Sequence, residues 1–240
     1  MTDTPITSRS NPQVRRIRRL HTRRERARSG EFIAEGEDLV AAARAAGREA
    51  LVGLRAPASG LGGEAFVDTE EAVLAEASTL GSSTRVIGVY RQIWAEPAGN
   101  AVYLHAVRDP GNVGTIMRSA QAFGFNSLIV GPRCADPHSP KCVRASMGSI
   151  FSLSLSRGAP TGHTIALDAH RGNPIADLAP PRGPVTLLVG AERDGLPPEL
   201  LEGADEIARI PIAAESLNAA MAATVAMYEL TRESSRVPAS

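Results

Sequence analysis

The chain has 240 residues, 26 basic and 26 acidic side chains, 43% hydrophobic residues and a mean hydropathy of −0.09. That composition fits one large globular domain or two small ones with a sizeable core. It excludes a transmembrane helix, because no apolar run approaches the roughly 18 residues required. Cys134 and Cys142 are the only thiols, which excludes a disulfide framework and a four-cysteine zinc site. With no apolar signal-like segment at the N-terminus, the expectation is a cytoplasmic protein with two reduced thiols, no membrane contact and no metal.

The neutral average conceals a split. Residues 1–28 carry nine arginines against Asp3 and Glu25, while the remainder carries 17 basic and 24 acidic residues. This predicts a basic arm or face joined to a neutral-to-acidic body. Lys141 is the sole lysine, so arginine bias from base composition contributes, and not every arginine is read as a phosphate ligand.

Asn11-Pro12, followed by residues 13–28 and Ser29-Gly30, predicts one capped helix with Val14, Ile17 and Leu20 on its apolar side. An amphipathic transit peptide has a similar pattern. Here a strand at 31–34 follows with no spacer, so the helix is read as integral. A helix over 35–47, strands at 50–54 and 65–67, a helix from Asp68 or Thr69 to Leu80 and a strand at 85–90 complete an α/β unit with a partly parallel sheet. Pro, Gly and Asn cluster in 95–100, which places a boundary there and gives domains 1–95 and 100–240. Beyond it, strands at 101–107, 127–130, 164–168, 185–190 and 206–211 alternate with helices at 112–124, 140–147, 198–203 and 217–232.

Three segments of the second domain carry polar groups where strands end. Asp109 to Arg118 runs from a strand into a helix, a place where free backbone N–H groups favour an anion. In that helix Val113, Ile116, Met117, Ala120 and Phe123 form one stripe, and Arg118 lies opposite with Gly114 one turn before it. The bland reading is a solvated arginine, and the functional one is an arginine facing a groove. Leu187 to Pro197 places two glycines and Glu192 beyond an apolar strand, the ligand-binding position of open α/β sheets. It has neither a dinucleotide fingerprint nor a phosphate loop. Ile210-Pro211-Ile212 leads to Ser216, read as the N-cap of a last helix whose apolar residues go all the way round. Its small face is Ala219, Ala222, Ala223 and Ala226, which suits either an interior helix or a subunit interface. Lys141, Arg144 and Ser146 start another helix. The histidines show no metal-ligand spacing. These features describe a ligand-binding α/β protein with a basic appendage and do not name a reaction.

In order, the segments resemble the three motifs of the SpoU-type RNA ribose 2′-O-methyltransferases of the SPOUT superfamily. Asn112, Gly114 and Arg118 stand as the first motif, Val189 to Leu196 as the second, and Ile210-Pro211-Ile212 with Ser216-Leu217-Asn218 as the third. Residues 140–151 and the opening, Ile6-Thr7-Ser8 with Phe32 to Gly36, are similar to other stretches of the family, including its N-terminal substrate-binding domain. The sequence departs from the pattern at Arg193 and in the Ala213–Glu215 loop.

The resemblance implies a small N-terminal α/β substrate-binding domain and a C-terminal α/β domain with a parallel sheet and a deep trefoil knot. It implies S-adenosylmethionine held by Leu188, Val189, Gly190, Gly195, Ile210, Pro211, Leu217 and Asn218, and a homodimer with the last helix near the interface, its alanine face packed at or beside it. Arg118, Asn112, Glu192, Ser216 and Asn218 become the catalytic candidates. Arg15, Arg16, Arg19, Arg23, Lys141 and Arg144 become RNA contacts. A guanidinium stays protonated in proteins, so Arg118 is read as a phosphate clamp and not a base. The implied activity is methylation of structured RNA, 23S ribosomal RNA by preference. The alternatives are a tRNA methyltransferase, a non-catalytic assembly factor of the same fold, and an unrelated nucleotide-binding protein.

Overall fold

The computed structural model describes residues 5–80, 84–179, 183–213 and 216–232. Their contacts divide them into two compact units, the described residues within 1–92 and 136–151, and those within 93–135 and 152–240. The segment 136–151 follows the boundary in sequence but packs with the first unit.

The first unit opens with α1 (Pro12–Arg19) and α2 (Arg23–Ser29), where the sequence pattern predicts one helix. The break has a local cause. Thr22 caps a new helix inside the arginine-rich run, its hydroxyl accepting from Glu25 N at 3.4 Å. Arg26 then secures the break: its Nη1 donates to Leu20 O (2.8 Å) and His21 O (2.9 Å), two carbonyls the helix end would leave orphaned. Its Nε also donates to Asp136 (2.9 Å), and the side chain is 4% exposed. Arg26 is therefore a buried structural ion pair and not a face for phosphate.

Val14, Ile17 and Leu20 pack as expected, into a core with Ile33, Leu54, Leu74, Ile87 and Val89. The sheet beneath runs β1 (Glu31–Glu35), β4 (Val86–Arg91), β2 (Val52–Arg55), β3 (Phe66–Asp68), with only β2–β3 parallel. Between them lie α3 (Glu37–Ala45) and α4 (Glu71–Ala77). Glu70, not Asp68 or Thr69, occupies the N-cap of α4, because Thr69 is buried and its hydroxyl donates to Val67 O at 3.0 Å. Also here is α6 (Pro140–Ala145), capped by Ser139, which accepts from Cys142 N.

The second unit is one parallel sheet. Among the described residues its strands run β7 (Ser154–Arg157), β6 (Ser127–Val130), β5 (Ala101–Leu104), β10 (Val185–Val189), β8 (His163–Leu167), β11 (Glu206–Arg209), β9 (Asn173–Pro174). The edge strands β7 and β9 carry no apolar run long enough to declare them. Central β10 is buried at all five positions, as a parallel strand covered on both faces must be. The order reverses between β5 and β10, the topological position where open α/β sheets place their ligand-binding loops. Helices α5 (Pro110–Ala122), α7 (Pro198–Glu202) and α8 (Ala219–Thr231) complete the unit.

Helix α8 departs from expectation in two ways. Its N-cap is Asn218, not Ser216; the Asn218 carbonyl accepts from Ala220 N (2.9 Å) and Met221 N (3.4 Å). Asn caps as well as Ser, and the cap that forms is the one leaving Ser216 and Leu217 in the preceding loop. The helix is also not buried all round. Ala219, Ala220, Ala223, Ala226 and Met227 are buried within the unit, whereas Met221, Val225 and Tyr228 are exposed. The small face lets α8 approach α5 and β10 closely, so the alanines serve the interior and the bulky stripe is left outside.

Candidate active site

Helix α5 starts with Asp109 as N-cap, accepting from Gly111 N at 2.6 Å, with Pro110 in the first turn. This sets Asn112 in the first turn of α5, beyond the carboxyl end of β5. A polar chain runs from there. Because the Asn218 carbonyl is committed to the α8 N-terminus, its amide nitrogen donates to Asn112 Oδ1, at 3.1 Å. Asn112 must then present its own amide nitrogen, which donates to Glu192 Oε1 in a very short contact. One residue from each of the three motif segments thus meets in a single directional network. A second tie joins the same helices. Thr224 donates to Ala220 O (2.7 Å), so Ser119 is the donor in its 2.7 Å bond to Thr224.

Beside this network lies a cavity of about 490 Å³, walled by the loops after β8, β10 and β11. Val189, Gly190, Gly195, Ile210, Ser216 and Leu217 line it, as do Glu192 and Arg193. Leu188 does not: it is 1% exposed and packs with Tyr103, Ile129 and Leu201. Pro211 and Asn218 are also off the lining, Asn218 being held by Asn112. Asp168 and His170 line the wall without having been picked out from the sequence. Their place just after the predicted strand 164–168 was the available signal.

Gly190 is required by close approach. A Cβ there would stand 2.2 Å from Gly195 C and 2.5 Å from Leu196 N. Ala191 and Gly195 bridge back to back (3.0 and 3.2 Å), and Gly195 closes the turn at φ +63°. The result is a narrow backbone cradle at the cavity wall. Of the Ala213–Glu215 loop, Ala214 and Glu215 lie outside the described residues.

Arg118 is exposed on α5, on the side opposite Val113, Ile116, Met117 and Ala120. Gly114, one turn before it, is itself buried. Of the basic candidates in the first unit, Arg15, Arg19 and Arg23 are exposed. Arg16 is held by Glu31 through two hydrogen bonds (2.6 and 3.0 Å), which raise its pKa. Arg144 donates to Thr79 Oγ1 at 2.8 Å, and Lys141 is exposed at the start of α6. Cys134 and Cys142 are both buried. Among the described residues, no group of three His, Cys, Asp or Glu is placed to hold a metal ion, and no helix is long and apolar enough to cross a membrane.

The family model of the SpoU rRNA methylase family matches residues 99–228. The chain belongs to that family. A second model, the MRM3-like substrate binding domain, matches residues 11–96 of this SpoU family member. A Bacillus subtilis relative, the 23S rRNA (guanosine(2553)-2′-O)-methyltransferase RlmP, is 31% identical over 94% of this chain and 98% of its own. An AdoMet-bound rRNA methyltransferase of Sinorhizobium meliloti superposes with a TM-score of 0.84 at 30% identity, covering 96% and 98% of the two chains. The SpoU methyltransferase AviRb of Streptomyces viridochromogenes, in complex with AdoMet, superposes at 0.82 and 27% identity over 94% and 99%.

Proposed function

We propose that this protein transfers the methyl group of S-adenosylmethionine to a ribose 2′-hydroxyl of large-subunit ribosomal RNA. The observation that carries this reading is the Asn218–Asn112–Glu192 network at the mouth of a cavity lined by Gly190, Ile210 and Leu217. The cavity fits the cofactor: apolar walls from Val189, Ile210 and Leu217 suit an adenine, and the Gly190–Gly195 backbone, stripped of side chains, allows close packing. When bound, S-adenosylmethionine supplies an electrophilic methyl group on a sulfonium.

The chain's own residues orient the reactants. Asn112 and Ser216 would offer hydrogen bonds to the acceptor ribose, and Glu192, which lines the cavity and is held by Asn112, would present a carboxylate beside it. Arg118 holds an RNA phosphate in its planar fork, which brings the hydroxyl into line with the methyl group. The hydroxyl proton leaves to a phosphate oxygen or water. Arg15, Arg19 and Arg23 add backbone affinity, with Lys141 and Arg144 as further contacts, and Arg16 contributes less because Glu31 already occupies it.

Full-length similarity to a 23S rRNA enzyme supports ribosomal RNA over tRNA. An intact polar network argues against a purely structural assembly factor. A deep trefoil knot is part of the same reading. It is supported by β10 inserting between the earlier strands β5 and β8, and by the return of α8 onto α5.

The test is a map of 2′-O-methylated nucleotides in RNA from a strain lacking the gene and from its complemented derivative. One 23S site is expected to lose its methyl group and regain it. Loss confined to a tRNA, or an unchanged map, overturns the assignment.

We further propose a homodimer formed through α8. Met221 (63% exposed), Val225 and Tyr228 lie at i, i+4 and i+7, an apolar stripe that an isolated chain would leave in water. Sedimentation of the wild type should give a dimer at micromolar concentration, and Tyr228→Glu should give a folded monomer. A monomeric wild type overturns the proposal.

A further inference from the structure

The carboxyl edge of the parallel sheet carries a second polar arrangement, which the methyl-transfer reading leaves unused. The loop after β6 is hydrogen-bonded to the loop after β5: Gly131 N donates to Leu104 O (3.0 Å), Ala106 N to Pro132 O (3.0 Å) and Ala135 N to Val107 O (2.9 Å). Each loop holds a non-glycine residue in the left-handed region, Ala106 at φ +55° and Arg133 at φ +58°. Such backbone is uncommon for side-chain-bearing residues and gathers at functional sites. Arg133 is exposed, yet its Nη2 lies 2.9 Å from Nε2 of His105, a residue only 7% exposed.

The direction of that bond is determined. A guanidinium can only donate, so His105 Nε2 is the acceptor and its proton sits on Nδ1. Nδ1 is buried and has no hydrogen-bond partner among the described residues. Burial first, and then the Arg133 charge, hold the His105 pKa below the ordinary imidazole value, while Glu199 opposes them; the neutral acceptor form prevails at neutral pH. The bond thus ties one exposed guanidinium to a buried ring, which core packing alone does not require.

The strand order gives the place of that loop in the unit. The cavity takes its walls from the loops after β8, β10 and β11, and the Asn112–Glu192 bond joins the loops after β5 and β10. The next loop outward, on the side away from the cavity, is the one after β6 that carries Arg133. We propose that Arg133 contacts an RNA phosphate flanking the acceptor nucleotide and that His105 is its positioning residue. The inference rests on the RNA methyltransferase reading above.

Full-length protein and unmodified 23S rRNA transcript are the probes. RNA affinity is read by filter binding over a salt series, and single-turnover methylation is read separately. Arg133→Gln should weaken RNA binding roughly tenfold and lower the salt slope by about one phosphate contact. It should raise KM for RNA with little change in kcat, and leave S-adenosylmethionine affinity as in the wild type. His105→Leu should reproduce part of that loss, and His105→Gln, whose Oε1 can accept the same bond, should restore it. An Arg133→Gln protein with wild-type affinity and salt slope overturns the phosphate contact. A His105→Gln protein as impaired as His105→Leu overturns the positioning role. If the wild type binds RNA with these dependences but methylates none, the function assignment fails while the contact stands.

Discussion

Arg118→Lys is expected to lose methyl transfer almost as completely as Arg118→Ala, by about 100-fold or more in the single-turnover rate, with S-adenosylmethionine affinity preserved in both. The magnitude is that of removing one preorganised charged donor from an active site. The lysine variant keeps the charge but loses the planar two-pronged geometry that grips a phosphate and orients its ribose. Cofactor affinity should hold because Arg118 is exposed on α5 and is not part of the cavity lining. Rapid-quench methylation and cofactor titration by calorimetry separate these effects. A lysine variant with near-wild-type turnover would show that charge alone suffices. Loss of cofactor binding in the alanine variant would place the side chain on the wrong side of the site.

Gly190→Ala should produce the largest combined loss of stability and cofactor binding in the second unit. The added Cβ meets backbone atoms of Gly195 and Leu196 at 2.2 to 2.5 Å, and backbone cannot step aside as the end of a flexible side chain can. Relief requires opening the Ala191–Gly195 bridge, at a cost of about 3 kcal/mol or more. Because the same segment walls the cavity, S-adenosylmethionine affinity should fall well over tenfold. Gly195→Ala is the internal comparison. It has no atom within 4 Å of the added Cβ and only a left-handed φ to bear, so about 1–2 kcal/mol is expected. Urea unfolding of the two variants decides the matter. Equal losses would mean that turn conformation, and not close approach, explains Gly190.

Much of the site was legible because strand ends and helix starts are local signals. Asn112, Glu192 and Asn218 stood out by spacing and by resemblance, and the structure joins them through hydrogen bonds. That Asn218 caps α8 and thereby orients Asn112 was not legible, since Ser216 offers an equally good capping side chain two residues earlier. Asp168 and His170 went unnoticed because a wall residue needs no motif, only a place at the end of the right strand.

The alternation of strands and helices, the α/β class, the apolar stripe of Val14, Ile17 and Leu20 and the three motif segments were determined by the sequence alone. Periodicity and capping chemistry act over a few residues and can be read without knowing the partners. Tertiary structure decided everything that depends on distant groups. Arg26 is buried only because Asp136, 110 residues away, receives it, and Arg16 is engaged only because Glu31 folds back to it. The position of β10 between β5 and β8 follows from chain crossings that no local pattern encodes. Helix α8 makes the point most clearly. Its apolar residues run all the way round, so periodicity could not choose an inner face. Close approach to α5 and β10 chose the alanines, and the same packing left Met221, Val225 and Tyr228 on the outer face of the unit.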